Sequence, residues 1–305
     1  MPGAPQRGSS GGFLMLNRPA VSRDRILIWA PAIAVLGCIT ILAASEPSVS
    51  VPGYNQFSER DESKIGDALT REFEARYPVL DNSLLNSYVA GVTQRLGQHS
   101  RRPELTYACK ILNVAEVNAF SLPGGHIYVT RGMLDFTQTE NELAAVIAHE
   151  IGHVAGRHAL NRFSLELRSK SLWESVRRVL PDVAGDGIER AFQALGMPLV
   201  DMLAFRYDRA NESEADLLGF YNLVRSGWNP AGQIRCLERI QSPASASSAL
   251  LADLRATHPD AGERSRTISA ELKEVTLSSS LDDDSMAFKA MKLGLNLLPK
   301  PASGK

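Results

Sequence analysis

The sequence is poor in cysteine and has no excess of charge of either sign. Its three cysteines, Cys38, Cys109 and Cys236, are too few and too scattered for a disulfide scaffold or a thiolate metal site. Cys109 and Cys236 could pair in an oxidising compartment or could be two separate buried thiols, and the sequence leaves both alternatives open. With 33 basic and 34 acidic residues the formal net charge is -1, so a nucleic-acid partner is not expected.

The sequence also lacks an internal repeat with a period of about 20 to 50 residues, which excludes a solenoid. Its 305 residues, 44% of them hydrophobic, suit one main domain with appended segments. The predicted organisation is a cytoplasmic N-terminal segment at 1–25, a membrane segment at 26–45, a linker at 46–60, the main domain at 61–296 and a disordered tail at 297–305.

The longest uncharged run extends from Ile26 to Ser45, and its length matches the ~20 helical residues that cross the hydrocarbon of a bilayer. Basic residues precede this run and an acidic residue follows it, at Arg7, Arg18, Arg23, Arg25 and Glu46. The positive-inside rule therefore predicts a cytoplasmic N-terminus and a main domain on the other side of the inner membrane. A buried core helix is the alternative, which the flanking charges disfavour.

The sequence leaves the fate of this segment open. An uncleaved anchor and a cleaved signal are equally compatible with it, because Ala43-Ala44-Ser45 is an acceptable cleavage site. A lipoprotein modified at Cys38 is less favoured, since the apolar run continues beyond that residue. The expected location is the bacterial cell envelope, either anchored in the inner membrane and facing the periplasm or periplasmic after cleavage.

The spacing of apolar residues predicts a mainly helical domain with short strands. Apolar positions three and four apart predict helices at 61–77 and 82–96. Short runs of β-branched and aromatic residues predict strands at 107–113 and 126–130, separated by a turn at Pro123-Gly124-Gly125.

The clearest chemical motif is His149-Glu150-Ile151-Gly152-His153, within the predicted helix NELAAVIAHEIGHVAGRHAL. Four residues make about one helical turn, so the two imidazoles lie one above the other and can share one metal ion. Glu150 projects about 100° around the axis, beside the metal position, where it can act as a general base. His158, five positions beyond His153, would point about 140° away on a continuous helix, which favours a supporting or structural role.

A catalytic zinc site needs a third protein ligand and an open position for water. The best candidates for that ligand are Glu212 and Asp216 in the downstream segment NESEAD. These two acids are one helical turn apart, so one can bind the metal while the other orients a ligand imidazole. Glu214 lies about 200° away from Glu212, which favours a solvated position on the helix exterior.

Four segments in the same order resemble the zinc peptidase family that includes the CAAX prenyl protease, the heat-shock protease HtpX and the periplasmic protease BepA. They are NAFSLPGGHIYVTRGML, HEIGHVAGRH, NESEAD and THPDAGER, and the resemblance covers about residues 60 to 275. It implies an α+β, mainly α fold: a zincin-type metallopeptidase with a small β-sheet packed on the active-site helix. It also implies one zinc ion per chain, held by His149, His153 and Glu212, with Asp216 supporting a ligand.

The same resemblance assigns a substrate-binding edge, to which the substrate backbone adds as an extra strand. This edge falls on the strand His126–Thr130, with Ile127 and Tyr128, and on the preceding Gly124 and Gly125, which allow a sharp turn. A plain hairpin turn is the alternative for the two glycines.

Three more residues gain candidate roles from the family pattern. His258 and Arg264 match its H-P-x-x-x-x-R motif, in which the histidine either stabilises the oxyanion or caps the zinc. Arg264 is expected to hold that segment through a carboxylate. Asn118 is a candidate oxyanion donor, with a turn role as the alternative.

From Thr139 onward the sequence has a helical period, with breaks at 181–187, 227–230 and 242–248. Residues 169–202 form an insertion with two apolar stripes joined by a glycine-containing segment. The insertion is either a helical hairpin packed on the core or a lid that controls access to the zinc.

The function hypothesis is a zinc-dependent endopeptidase that cleaves unfolded or misfolded envelope proteins, with Glu150 as the general base. The alternative is a zinc-stabilised, chaperone-like or latent client-binding protein in which His258 blocks the metal.

Overall fold

The computed structural model describes residue 55 and residues 57–167, 207–242, 249–277 and 284–301. The predicted membrane segment at 26–45, including Cys38, and the insertion at 169–202 lie outside the described residues. No helix within the described ranges combines the length and the apolar character needed to cross a bilayer.

The described chain is mainly helical with one small sheet, which confirms the predicted α+β class. The helices are α1 Glu59–Arg76, α2 Ser83–Gln98, α3 Arg131–Phe136, α4 Glu140–Ala155, α5 His158–Leu167, α6 Arg209–Arg225, α7 Ala231–Gln241, α8 Ala252–Thr257, α9 Ala261–Lys273 and α10 Met286–Asn296. The strands are β1 Ala108–Leu112, β2 Ala119–Leu122 and β3 His126–Thr130, and a short 3₁₀ turn at Pro123–Gly125 joins β2 to β3.

Polar side chains fix where three of these helices begin. Ser58 and Asp61 form a reciprocal capping box, in which each side chain accepts the backbone N–H of the other residue, so α1 starts at Glu59. Asn82 and Thr139 cap α2 and α4 in the simpler way, each accepting one backbone N–H of the first turn.

The three-stranded sheet has the order β1-β3-β2. β3 pairs in parallel with β1 and antiparallel with β2. The sequence predicted β1 and β3 but missed β2, because all four residues of β2 are buried and the strand shows no alternation between polar and apolar positions.

The predicted substrate-binding edge is wrong in its position. β3 is the central strand, so the backbone of His126, Ile127 and Tyr128 already pairs on both sides and cannot accept another strand. Gly124 and Gly125 have positive φ values of 81° and 96°, which makes them the tight turn before β3, as in the alternative of a plain hairpin turn.

Helix α4 lies at the centre of the described fold. Its apolar residues, including Ile147 and Ile151, are buried in the largest hydrophobic cluster together with residues of α2 and of the sheet. On its other side α4 packs against α6 and α7. Cys109 and Cys236 are buried free thiols in two different clusters, so the alternative of separate buried thiols is confirmed.

The predicted helix through the histidine motif does not continue to residue 160. It stops at Ala155 because Arg157 adopts the left-handed conformation, with φ 55°, and α5 then begins at His158. The predicted break at 227–230 is confirmed, since α6 ends at Arg225 and α7 begins at Ala231.

The predicted disordered tail does not begin directly after α10. The carbonyl oxygen of Pro299 accepts a hydrogen bond of 2.6 Å from Nη1 of Arg131, so the chain is held as far as that residue. Residues 302–305 lie outside the described part of the chain.

Candidate metal centre

Helix α4 places both histidines of the motif in the protein interior. His149 and His153 are 8% and 1% exposed, and their Nε2 atoms lie 3.0 Å apart. Two buried ring nitrogens this close together can share one metal ion, as the spacing of one helical turn predicted. Glu150, 2% exposed, follows His149 on the same helix.

Helix α6 brings Glu212 to the two imidazoles. Its Oε1 lies 3.3 Å from Nε2 of His153, and its Oε2 lies 3.6 Å from Nε2 of His149. The approach depends on a close crossing of α4 and α6, because a Cβ atom on Gly152 would lie only 2.5 Å from the carbonyl oxygen of Ala215.

His258 reaches the same point from the C-terminal end of α8. Its Nδ1 lies 3.1 Å from each carboxylate oxygen of Glu212, and its Nε2 lies 3.9 Å from Oε1 of Glu150. One ligand-capable atom from each of His149, His153, Glu212 and His258 therefore fits within a group of four atoms that are all less than 4.8 Å apart.

Asp216 and Arg264 support this group of donors through ion pairs and hydrogen bonds. Oδ1 of Asp216 lies 2.9 Å from Nδ1 of His149, so it can accept the proton of that nitrogen and turn Nε2 toward the site. Arg264 donates to both oxygens of Asp216, at 2.6 Å and 2.8 Å, and its Nη1 lies 2.6 Å from Oε2 of Glu212. This bidentate geometry matches the expected contact between Arg264 and a carboxylate.

The electrostatics of the group favour a bound cation. Burial alone would raise the pKa of Glu212, but His258, His149 and His153 hold it well below its usual range. Burial likewise opposes ionisation of Asp216, but Arg264 and His149 hold the pKa of Asp216 below its usual range. Both carboxylates are therefore ionised; Glu212 faces the candidate site, and Asp216 contacts the other ring nitrogen of His149.

The two motif histidines differ in their own pKa values. Burial and Arg264 disfavour a charge on His149, but hydrogen bonds to Asp216 and Glu212 outweigh both and raise the pKa of His149 to about 9. Burial holds the pKa of His153 well below its usual value, so this imidazole is neutral, as a metal ligand must be. A cation at this point would replace the proton that the carboxylates attract to His149.

The donor set fits a transition metal. Three imidazoles and one carboxylate supply the nitrogen and oxygen ligands typical of zinc sites. Calcium and magnesium prefer sites built entirely from oxygen atoms, whereas most of the donors in this group are nitrogen atoms. The four donors are buried and lie within 4.8 Å of one another, so they could hold a metal ion, and they differ in this from an exposed cluster of acids.

A cavity of about 50 Å³ adjoins the candidate metal position. His149, Glu150 and His258 line it on one side. The remaining walls are mostly apolar and come from β2, α3, α4, α7 and α8, at Ala119, Met133, Val146, Leu237, Ile240 and Leu254. The cavity can hold a small apolar group next to the site.

Of the remaining candidates, Asn118 lies next to a residue that lines the cavity, whereas the residues of the predicted edge contact α1. Asn118 directly precedes β2, and its Oδ1 accepts the backbone N–H of Ala119, a residue that lines the cavity. The residues of the wrongly predicted edge point elsewhere, since His126 lies 3.4 Å from Asp67 and the hydroxyl of Tyr128 donates to Glu74, both on α1.

Sequence reasoning missed one neighbour of His153, Tyr207, and gave the supporting residue His158 the wrong direction. The ring of Tyr207 stacks on the His153 ring with centroids 3.9 Å apart and an angle of 19° between the planes. His158 lies with its Nδ1 2.9 Å from Nδ1 of His153, although a continuous helix would have pointed it away. Glu214 is not the solvated acid expected, because its side chain is 16% exposed and its Oε2 lies 3.6 Å from Nε2 of His158.

Comparisons with known proteins agree with this geometry. The model of Peptidase family M48 matches residues 83–272. The beta-barrel assembly-enhancing protease of Escherichia coli is 27% identical over 256 residues, which cover 82% of this chain and 52% of that protein. The chain therefore spans about half the length of that relative.

Two further relatives carry similar names. The mitochondrial metalloendopeptidase OMA1 of Schizosaccharomyces pombe is 28% identical over 196 residues, or 64% of this chain and 56% of that protein. The metalloprotease YcaL of Escherichia coli is 25% identical over 212 residues, or 69% of this chain and 80% of that protein.

Proposed function

This chain belongs to peptidase family M48, and on that premise we propose that it is a zinc-dependent endopeptidase. The observation that supports the proposal most strongly is the buried group of His149, His153, Glu212 and His258, whose ligand-capable atoms lie within 4.8 Å of one another. His149, His153 and Glu212 would hold the ion, and Asp216 would orient one of the imidazoles. When bound, zinc supplies a Lewis acid that polarises a carbonyl and eases the ionisation of water.

Glu150 is the proposed general base. It follows His149 on α4, is buried and lines the cavity beside the donor group. Its carboxylate would accept a proton from the attacking water and then pass that proton to the leaving amine.

His258 is the proposed donor to the oxyanion, with Asn118 as a second candidate. Nδ1 of His258 lies 3.1 Å from Oε1 of Glu212. Nε2 of His258 lies 3.9 Å from Oε1 of Glu150, so it is on the side of the site where the substrate carbonyl would react. Asn118 offers its side-chain amide from the start of β2, next to the cavity-lining Ala119.

The substrate backbone would pair with β2. Only an edge strand can accept a further strand, and among the described residues β2 pairs on one side alone, with the central β3. Ala119 places the start of β2 beside the cavity. An extended substrate paired there would run past Glu150. Hydrogen bonds from β2 would hold the substrate by its main chain and would depend little on its side chains.

The proposed substrates are unfolded or misfolded proteins of a bacterial cell envelope. Main-chain pairing suits such substrates because it requires an extended segment and little sequence specificity. Two features support the envelope: the uncharged run at 26–45 with arginines before it, and similarity to the beta-barrel assembly-enhancing protease of Escherichia coli. The chain would be anchored in the inner membrane by that run, or periplasmic after its cleavage.

The substitution Glu150→Gln tests the enzyme proposal. The variant should retain zinc, measured by metal analysis after dialysis, because Glu150 is not one of the proposed ligands. It should lose cleavage of unfolded casein by at least about 100-fold, since a general base typically contributes 10²–10⁴ in rate. A chelator should abolish cleavage by the unmodified protein. Cleavage by the variant at the unmodified rate would refute the assignment.

A latent client-binding protein is the second candidate, and the position of His258 favours it specifically. A histidine within the donor group could occupy the position that a water needs. The variant His258→Ala separates the two functions, because a blocking histidine predicts faster casein cleavage after its removal. An oxyanion donor predicts slower cleavage with zinc retained.

A further inference from the structure

We propose that His158 and Glu214 form a pair that positions His153, as Asp216 positions His149. The proposal rests on the proposed zinc site and concerns the second histidine of the motif. A zinc-bound imidazole is usually fixed by a hydrogen bond from its other ring nitrogen. For His149 that partner is Asp216, at 2.9 Å. For His153 the partner within the described residues is another histidine.

The contact between the two histidines fixes the proton positions. Nδ1 of His153 lies 2.9 Å from Nδ1 of His158, so one nitrogen must donate and the other must accept. When His153 offers Nε2 to a metal, its proton is on Nδ1. His158 therefore accepts at Nδ1 and carries its own proton on Nε2.

That second proton points toward Glu214. Nε2 of His158 is buried and makes no hydrogen bond to the described residues, and Oε2 of Glu214 lies 3.6 Å away. A carboxylate at this distance favours the tautomer of His158 with the proton on Nε2. Glu214 thus supports the acceptor state of Nδ1 that His153 requires.

The backbone conformation at Gly156 and Arg157 brings His158 next to His153. Arg157 ends the helical path with φ 55°, and its Nε lies 2.9 Å from the buried carboxylate of Glu62. A side chain on Gly156 would occupy the space of the His158 ring, since a Cβ there would lie 2.9 Å from two ring carbons and closer still to Nε2. The glycine and the left-handed residue together place His158 beside His153.

The test compares zinc binding by variants of His158. His158→Leu removes the acceptor, and the rate of zinc loss to a chelator should rise about 10- to 100-fold, the usual effect of losing such a partner. His158→Asn places an oxygen near the former Nδ1 and should restore most of the retention. Glu214→Gln should show a smaller increase in the same direction.

The cobalt-substituted protein provides a readout that does not depend on activity. Its visible absorption should change in His158→Leu, because the His153 ring is no longer fixed, and should return toward normal in His158→Asn. Phe163→Leu is the matched control, since it weakens packing on the same helix, where Phe163 stacks on Phe57, without touching the histidines. This control should lower thermal stability and leave zinc retention and the cobalt spectrum unchanged.

Three outcomes overturn the proposal. One is normal zinc retention and a normal cobalt spectrum in His158→Leu. Another is equal loss of zinc from His158→Leu and His158→Asn, which would show that the ring matters only for its shape. If His158→Leu does not fold, Glu214→Gln decides, and unchanged zinc retention in that variant counts against the pair. Failure of the unmodified protein to bind zinc would instead refute the proposed function.

Discussion

Arg264 and Arg209 each place a nitrogen 2.6 Å from a carboxylate oxygen, but they do so in different surroundings. The Arg264 side chain is 7% exposed and faces Asp216 and Glu212, which are buried as well. The Arg209 side chain is 76% exposed at the start of α6, where it meets Asp260. Water and salt screen the second pair but not the first.

Replacement of these arginines should therefore have very different effects. Arg264→Leu leaves two buried carboxylates without their cation, so we expect the free energy of unfolding of the metal-free protein to fall by about 3–5 kcal/mol. Arg209→Leu should change it by less than about 1 kcal/mol. Urea unfolding followed by circular dichroism measures both, and equal losses in the two variants would contradict this account.

Some residues of the centre can be predicted from the sequence and others cannot. His149, Glu150 and His153 share one helical turn, so their geometry follows from their spacing alone. Tyr207 and Glu214 approach His153 and His158 only through tertiary packing, and no local pattern signals such a contact. His158 was assigned to the wrong direction because the helical rule was applied across Arg157, where the helix stops.

The same limit applies to helices and strands. The long helices are predictable because their apolar residues recur at the helical period. β2 is not, since a short strand buried throughout has no alternation. Without β2, the sequence pattern could not show that the strand assigned as the substrate edge is the central strand of the sheet. Pairing order depends on which strands meet in space, and local residue patterns do not reveal it.

The crossing of α4 and α6 decides whether Glu212 can reach the histidines. In Gly152→Ala the new Cβ would press on backbone atoms of Ala215, which cannot rotate away, so α6 must shift and carry Glu212 with it. We expect stability to fall by about 1–3 kcal/mol. Zinc affinity, measured by chelator competition, should fall by about tenfold or more, because small displacements at such centres have large effects.

Gly91 on α2 provides the matched control. A Cβ there would meet nothing within 4 Å, and the residue is exposed on a helix. Gly91→Ala should raise stability by about 0.5–1 kcal/mol through helix propensity and leave zinc affinity unchanged. Unchanged zinc affinity in Gly152→Ala would show that the close crossing is not needed for the site.

The apolar cavity between α3, α4, α7 and α8 predicts a substrate preference. Its volume of about 50 Å³ suits a small apolar side chain next to the scissile bond. Leu254→Ala should enlarge the cavity and raise kcat/KM for a peptide with a larger apolar residue there by about tenfold relative to one with alanine. Leu143→Ala, in the main core cluster, is the control and should leave this ratio unchanged.

For the chain as a whole, the centre joins parts of the fold that are far apart in sequence. Its donors come from α4, α6 and the end of α8, and Arg264 on α9 binds two of the carboxylates. An unfolded chain cannot hold these groups together, so a metal that binds them stabilises only the folded state. Zinc should therefore raise the unfolding temperature of the metal-free protein.

The size of that shift follows from mass action. Free zinc at about 1,000 times its dissociation constant adds about 4 kcal/mol, which for a domain of this size corresponds to about 8–16 °C. Calcium at the same concentration should have little effect, because the centre offers mostly nitrogen donors. Differential scanning calorimetry of the unmodified protein and of His153→Asn tests the source of the shift. An equal shift in both proteins would place the zinc somewhere other than between α4, α6 and α8.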